Sequence, residues 1–266
     1  MRQWTIVCVG ILVMAGLSQA VVIDSFDALG TNLMYTTTTP AIGQMVNNVA
    51  GGAGWSGLNP VAGNGLGVVL PEARQTYCMM RSGTTFNMGD SLDVWVEPGN
   101  FGGGGVAVEF DDGLGGSGYY VVALGNQGNN HALIVKTFDG FSNGGSPIAY
   151  TNAGQIAGHT AKYQGAAINP DGQWYHVIAA INTVGADVVV DVTVNSGTPG
   201  SETQVDGTQF VDLGMAATTT LSNIGLVVSE WSSMGPDFDE LSFVPEPATL
   251  VLLGLGGAVA LLRRRR

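Results

Sequence analysis

A strict two-residue alternation of valines constrains the fold of this chain more than any other feature. In the segment ADVVVDVTVN (Ala186 to Asn195), Val188, Val190, Val192 and Val194 point to one side of an extended backbone, and Val189, Asp191, Thr193 and Asn195 point to the other. A period of two is typical of a strand that buries one face. No segment of useful length has a helical period, so the sequence predicts an all-β fold.

Similar segments recur along the chain between turns rich in Gly, Asn and Asp. Predicted strands include Leu92–Val96, Val106–Phe110, Gly118–Leu124, His131–Phe138, Gln173–Asn182, Asn223–Ser229 and Asp237–Val244. The strand Gln173–Asn182 and the valine-rich segment form a predicted hairpin across Thr183-Val184-Gly185. Strands at this spacing predict one antiparallel two-sheet sandwich over residues 21–243, with short strands and long loops in Thr31–Leu70.

The body between the two ends is strongly acidic. Residues 21–243 contain 20 acidic residues against only four basic ones, which are Arg74, Arg81, Lys136 and Lys162. This charge disfavours nucleic acid and anionic lipid as partners. It suits solubility outside the cell and the binding of cations.

The N-terminus has the pattern of a signal peptide. Arg2 precedes an apolar stretch from Ile6 to Leu17, and Ser18-Gln19-Ala20 supplies the small residues that signal peptidase accepts. We expect residues 1–20 to be removed after Ala20. Cys78 is then the only cysteine left, so no intramolecular disulfide can form, and we expect its side chain to be buried.

The C-terminus has the pattern of a membrane anchor. Ala248 to Leu262 is an uncharged apolar segment, and a helix of this length spans about 22 Å of a bilayer core that is about 30 Å thick. We therefore predict a short transmembrane helix over 248–262. The cluster Arg263, Arg264, Arg265 and Arg266 is expected to stay on the cytoplasmic side, which places the body outside.

The order of features in residues 244–266 resembles the PEP-CTERM sorting signal of bacteria. The matching residues are Pro245, Glu246 and Pro247, followed by the apolar span and the arginine cluster. This resemblance implies that an exosortase-type membrane transpeptidase recognises the motif and processes the protein for the cell surface or the extracellular matrix. It implies sorting and no activity, and we expect the mature form to lack Leu250–Arg266.

A looser resemblance concerns the body. The segment GQWYHVIAAI (Gly172–Ile181) resembles a strand of laminin-G-like, concanavalin-type jelly rolls. The opening Asp24-Ser25-Phe26-Asp27 and the closing Asp237–Leu241 resemble the first and last strands of jelly-roll carbohydrate-binding modules. In those modules the two strands are neighbours, and acidic residues there often hold a structural Ca²⁺. Asp24, Asp27, Asp237 and Asp239 are accordingly candidate Ca²⁺ ligands, and the alternative is four solvated carboxylates at strand ends.

Catalytic signals are weak. Glu109-Phe110-Asp111-Asp112 matches only the first part of the E-x-D-x-(x)-E strand of concanavalin-like glycosidases, because the second glutamate is missing. His131, His159 and His176 are spaced unlike any zinc motif, and we expect His176 to be structural.

Aromatic side chains are candidates for stacking on sugars, and Trp95 is the best placed. It alternates with Asp93 and Glu97 and could therefore face solvent. Two functions from different classes remain open. The first is an exported, non-catalytic surface or matrix protein that binds polysaccharide, and the alternative is a secreted glycan-active enzyme, a hydrolase or lyase, on a jelly-roll fold.

Overall fold

The computed structural model describes residues 20–26, 30–32, 35–37, 46–50, 65–69, 75–81, 86–98, 103–111, 117–127, 130–139, 148–149, 162–168, 173–229 and 236–245. The predicted signal peptide (except Ala20), Asp27, the predicted helix 248–262 and the arginine cluster 263–266 lie outside these residues. Within the part of the chain that the structure describes, no helix is long and apolar enough to cross a membrane.

Every regular element in the described ranges is a β-strand, which confirms the all-β prediction. The strands are β1 (Val21–Asp24), β2 (Gly30–Asn32), β3 (Tyr35–Thr37), β4 (Val46–Ala50), β5 (Gly65–Val69), β6 (Gln75–Arg81), β7 (Ser91–Glu97), β8 (Gly103–Asp111), β9 (Ser117–Gln127), β10 (Asn130–Asp139), β11 (Ile148–Ala149), β12 (Tyr163–Ile168), β13 (Tyr175–Val184), β14 (Asp187–Ser196), β15 (Thr203–Ala216), β16 (Thr220–Ser229) and β17 (Asp237–Val244).

The strands form two antiparallel sheets, as predicted. Sheet A has the order β15-β14-β13-β7-β17-β5-β4-β2, with β1 also paired to β17. Sheet B has the order β11-β6-β16-β8-β9-β10-β12, with β3 also paired to β6. Since sequence neighbours such as β7 and β8 lie in different sheets, the chain crosses repeatedly between the two layers.

One apolar core lies between the sheets. Sheet A contributes alternate residues of β7, β13 and β14, such as Val94, Val177 and Val190, and sheet B contributes those of β8, β9 and β16, such as Val108, Val122 and Leu226. All six side chains are fully buried. The alternation predicted from sequence therefore assigns the core face of β7, β8 and β14 correctly.

The predicted hairpin is confirmed as β13 and β14, but Thr183 and Val184, which were expected in the turn, belong to β13. Val184 pairs with Asp187 across a turn of Gly185 and Ala186, and Gly185 has a φ of +65°. A tight hairpin turn needs positive φ, which glycine adopts without steric cost. The turn fixes a register that sends Val188, Val190, Val192 and Val194 into the core.

The glycine run before Val106 belongs to the sheet, because Gly103, Gly104 and Gly105 open β8. A Cβ on Gly104 would lie 2.7 Å from the Pro236 Cβ, and one on Gly105 would collide with the Val122 carbonyl oxygen. These glycines therefore allow β8 to approach both the core and its neighbour β9 closely.

The first and last strands are neighbours, as expected. β1 pairs antiparallel with β17, with Val21 opposite Phe243 and Asp24 opposite Leu241. An extra residue interrupts the pairing of β17 with β7 between Asp239 and Ser242, and Glu240 at this bulge has a φ of +40°. The start of the body and the end of β17 therefore meet in sheet A.

Candidate functional site

Polar residues collect on the outer face of sheet A, opposite its core face. We call the group Asp93, Trp95, His176, Asn195, Glu202 and Ser242 the Trp95–His176 cluster. The strand register builds it, because Trp95 of β7 lies opposite His176 of β13. β14 contributes Asn195 opposite His176, and Glu202 lies in the connection between β14 and β15.

Trp95 and His176 stack on one another at the centre of this cluster. Their ring centroids are 4.7 Å apart and their planes differ by 5°. Trp95 lies on the polar face, as the alternation predicted, but the expectation that it faces solvent is wrong, because only 4% of the residue is exposed. Its role in ligand binding stays a prediction.

Two carboxylates flank the His176 ring. Nδ1 lies 2.9 Å from Glu202 Oε2, and Nε2 lies 3.9 Å from Asp93 Oδ2. Each carboxylate has a further donor, since Ser242 Oγ donates to Asp93 Oδ1 and Asn195 Nδ2 donates to Glu202 Oε2 at 3.2 Å. The cluster thus connects β7, β13, β14 and β17 with the β14–β15 connection.

The ion pairs shift the pKa of two members. Burial lowers the pKa of His176, but the hydrogen bonds and charges of Asp93 and Glu202 outweigh it, so the pKa lies above its ordinary value of 6.5. Burial raises the pKa of Glu202, yet the hydrogen bond and charge of His176 lower it overall. The arrangement favours an imidazolium between two carboxylates. Since both ring nitrogens face carboxylates, His176 is poorly placed to take a proton from a substrate.

The structure describes three of the four candidate Ca²⁺ ligands, which are Asp24, Asp237 and Asp239. Asp24 Oδ2 lies 3.6 Å from Arg81 Nη1, and its Oδ1 accepts the Phe26 N–H at 2.8 Å. Asp237 and Asp239 are 1% and 3% exposed, so the alternative of solvated carboxylates is wrong for these two. Asp27 lies outside the described residues.

Among the residues that the structure describes, no three His, Cys, Asp or Glu side chains are arranged to hold a metal ion. The Ca²⁺ site therefore stays a prediction. Sequence reasoning did not single out Glu97, which is fully buried and lies opposite Asp237. Its alternation with Asp93 and Trp95 gave the correct face, but alternation carries no signal for burial on the outer side of a sheet.

Sequence reasoning also missed Glu202. It lies 26 residues from His176, with which it pairs, and no local spacing connects the two. The positive φ of Gly197 and Gly200 shapes the turn that returns Glu202 to the ring, and Glu202 Oε1 accepts the Gly200 N–H at 3.4 Å.

The second acidic segment is tied into the structure on the outer side of sheet B. Glu109 Oε2 accepts from Asn223 Nδ2 at 2.7 Å and from Ser222 Oγ at 3.1 Å. Tyr119 lies opposite Glu109, and its pKa is raised to about 12 by burial first and by the Glu109 charge second. Asp112, His159 and the His131 side chain lie outside the described part of the chain.

Cys78 is fully buried on the same side of sheet B, as predicted. Burial raises the pKa of its thiol. The side chain packs in a second apolar group with Met80, Ala107, Val121, Ala123 and Val227, so Cys78 acts as a small core residue.

One protein-family model matches the C-terminal segment of the chain. Residues 243–266 match the family model of the PEP-CTERM protein-sorting motif. No curated protein matches the chain in sequence.

Solved structures that resemble the chain differ from it strongly in sequence. The acidic lectin of winged bean complexed with methyl-α-D-galactose is 8% identical, over 85% of this chain and 98% of that chain, with a TM-score of 0.43. A PL-14 alginate lyase from Aplysia kurodai is 11% identical, over 79% and 87%, with a TM-score of 0.36. Peanut lectin is 12% identical, over 85% and 96%, with a TM-score of 0.36. Such distant similarities carry no argument about function.

The predicted sorting segment begins at residue 244, and the family match begins one residue earlier, at residue 243. The match also reaches into β17, because Phe243 and Val244 belong to both. The chain is therefore an exported protein with a PEP-CTERM protein-sorting motif, which implies processing by an exosortase, on an all-β body of two antiparallel sheets.

Proposed function

We propose that this protein is a non-catalytic component of the cell surface or extracellular matrix, and that its β-sandwich binds polysaccharide there. The PEP motif delivers the body, and the C-terminal apolar segment holds it in the membrane, with the body outside, until an exosortase acts. The observation that carries this proposal is the sorting motif at residues 243–266.

The position of the motif supports direct display of the sandwich. Phe243 and Val244 pair with Leu92 and Ser91 of β7, and Pro245 follows at once. No linker therefore separates the described body from the residues that the transpeptidase would recognise. Processing after this point would leave β17, and with it sheet A, complete.

The cluster chemistry supports the non-catalytic half of the proposal. A general base must have a nitrogen or oxygen that can reach the proton it removes. Both nitrogens of His176 face carboxylates, and Glu109 already accepts two hydrogen bonds. These side chains instead form contacts that connect neighbouring strands.

Fractionation of producing cells tests the sorting half. We expect wild-type protein in the extracellular fraction, with an intact mass that lacks Leu250–Arg266. Replacement of Pro245, Glu246 and Pro247 by alanine should leave the protein in the membrane fraction with its arginines still attached. Val205 is an exposed residue of β15, so Val205→Ala is the matched control and should be sorted normally. Extracellular wild type that still carries the arginines would contradict the proposal.

Incubation with soluble polysaccharides tests the catalytic alternative. We expect the full chain to bind at least one polysaccharide without releasing reducing ends or unsaturated products. Product release by the wild type above a protein-free control would favour a glycan-active enzyme instead.

A further inference from the structure

Phe210 is both the most exposed large apolar side chain among the described residues and one of the few with a strained backbone. The residue is 64% exposed, and its φ is +55°. A bulky side chain in the left-handed region costs free energy, which a fold normally offsets by packing. The Phe210 ring is not packed in the core, so the fold maintains this conformation while displaying the ring to solvent.

A bulge in β15 turns the Phe210 side chain toward solvent. Val190 pairs with Val211 and Val192 pairs with Thr208, so Gln209 and Phe210 together lie opposite Asp191. Asp191 Oδ1 accepts the Phe210 N–H at 2.7 Å and holds the bulge. Bulges redirect side chains, and this one occurs immediately before Val211, which returns to the core with 8% exposure.

The residues next to the Phe210 backbone supply hydrogen-bond acceptors. Asp191 uses one oxygen for Phe210, and its Oδ2 makes no hydrogen bond to a described residue. Asp212 is an exposed neighbour whose Oδ1 accepts the Gly214 N–H at 2.7 Å. An exposed aromatic face beside carboxylate oxygens suits a sugar, whose C–H face is apolar and whose rim consists of hydroxyl donors.

We propose that Phe210 and Asp191 form a binding site for a neutral polysaccharide, an inference that rests on the proposed function. The Phe210 ring stacks on the C–H face of a sugar, and Asp191 Oδ2 accepts a hydrogen bond from a hydroxyl group. Anionic glycans are disfavoured, because residues 21–243 contain 20 acidic and only four basic residues. This site lies on β15 and β14, away from Trp95 on β7.

Affinity electrophoresis of the full chain in detergent tests the site. The gels contain dextran, mannan or hydroxyethylcellulose as neutral probes and alginate as the anionic probe. We expect at least one neutral probe to retard the wild type and alginate not to do so. Phe210→Ala should weaken that binding about tenfold or more, whereas Val205→Ala, 42% exposed on the same strand in the wild type, should bind normally.

Two further measurements separate binding from folding and from self-association. Phe210→Gly relieves the positive φ, so it should melt no lower than Phe210→Ala and still lose binding. Sedimentation should give the same oligomeric state for the wild type and both variants. A dimer that Phe210→Ala dissociates would overturn the proposal in favour of a contact between copies.

The outcomes distinguish the two levels of inference. If the wild type is retarded by a neutral glycan and Phe210→Ala is retarded equally, this site is wrong and polysaccharide binding stands. If alginate alone retards the wild type, this site is wrong and polysaccharide binding stands. If no probe retards the wild type, both the site and the polysaccharide half of the proposed function are overturned.

Discussion

Different kinds of side chain bury the centres of the outer faces of the two sheets. On sheet A, Trp95 lies beneath His176, which is flanked by Asp93 and Glu202. On sheet B, the corresponding face is apolar, with Cys78, Ala107, Val121, Ala123 and Val227 all fully buried. Both faces exclude water at their centres. Among the described residues, only the first face does so with ion pairs.

The comparison indicates which face can respond to the environment. Burial of an apolar side chain depends little on pH, while an ion pair gains or loses its charge as pH changes. Sheet B therefore provides constant packing, whereas the stability that sheet A adds varies with pH.

The largest effect is expected from a charge placed in the apolar face. Val227→Asp puts a carboxylate among Cys78 and Gly105, its register partners on β6 and β8. An unpaired buried charge costs about 3–5 kcal/mol, which corresponds to a fall of roughly 10 °C or more in Tm.

Thermal unfolding of two controls shows whether charge and burial are responsible. Val227→Thr keeps the shape without the charge and should lose far less stability. Val205→Asp adds a carboxylate where the residue is 42% exposed, and its Tm should hardly change. If Val227→Asp melts with the wild type, the outer face of sheet B is not closed as described.

A smaller effect is expected from removing the cation of the Trp95–His176 cluster. His176→Gln keeps a hydrogen-bonding side chain but leaves Asp93 and Glu202 without the positive charge between them. Hydrogen bonds to charged groups contribute about 1.5–3 kcal/mol, and partial exposure reduces this to about 1–2 kcal/mol. Chemical denaturation at pH 5.5 measures the loss.

That loss should depend on pH in a defined direction. Because the pKa of His176 is raised on folding, its stabilisation is complete below its ordinary pKa of 6.5 and disappears as pH rises through the folded value. The pKa of Glu202 is lowered, so its contribution is present above its ordinary pKa of 4.5 and is lost as pH falls through the folded value. The stability difference between wild type and His176→Gln should be largest between these limits and shrink toward pH 9. A difference that is constant across this range would contradict the imidazolium.

The sequence predicted the strands whose alternation is unbroken. The predicted strand Leu92–Val96 lies within β7. The predicted hairpin forms as β13 and β14, with its turn at Gly185 and Ala186. In these segments one face is apolar at every second residue, so local patterning and tertiary burial agree.

β15 is the longest strand among the described residues, and it is not one of the strands predicted from the sequence. Its segment TQVDGTQFVDLGMA (Thr203–Ala216) contains Gly207, Gly214 and the Phe210 bulge, and clean alternation begins only at Val211. A bulge shifts the alternation of apolar and polar residues by one position. The sequence pattern of a strand is therefore lost at a bulge, although the strand still pairs with its neighbour. The candidate polysaccharide site lies at this break, which no pattern in the sequence marks.

The cluster was predicted only in part for a similar reason. Alternation gave the face of Trp95 correctly, since it depends on the strand alone. The burial of Trp95 depends on His176, and the charge on His176 depends on Glu202, which a separate turn brings to the ring. Such long-range pairings are set by strand order, which a single sequence does not specify.

The smallest effect is expected from single hydroxyl groups, one on each face. Ser242 is 1% exposed and donates to Asp93 Oδ1, so Ser242→Ala removes a buried, charge-assisted bond and should cost about 1 kcal/mol. Ser222 is exposed and donates to Glu109 Oε2, which Asn223 also holds. Ser222→Ala should therefore cost less than about 0.5 kcal/mol. Equal losses in chemical denaturation would mean that the carboxylate network of sheet A is no more closed to water than the rim of sheet B. A larger loss for Ser242→Ala would show that the buried hydroxyl keeps Asp93 in place beside the His176 ring.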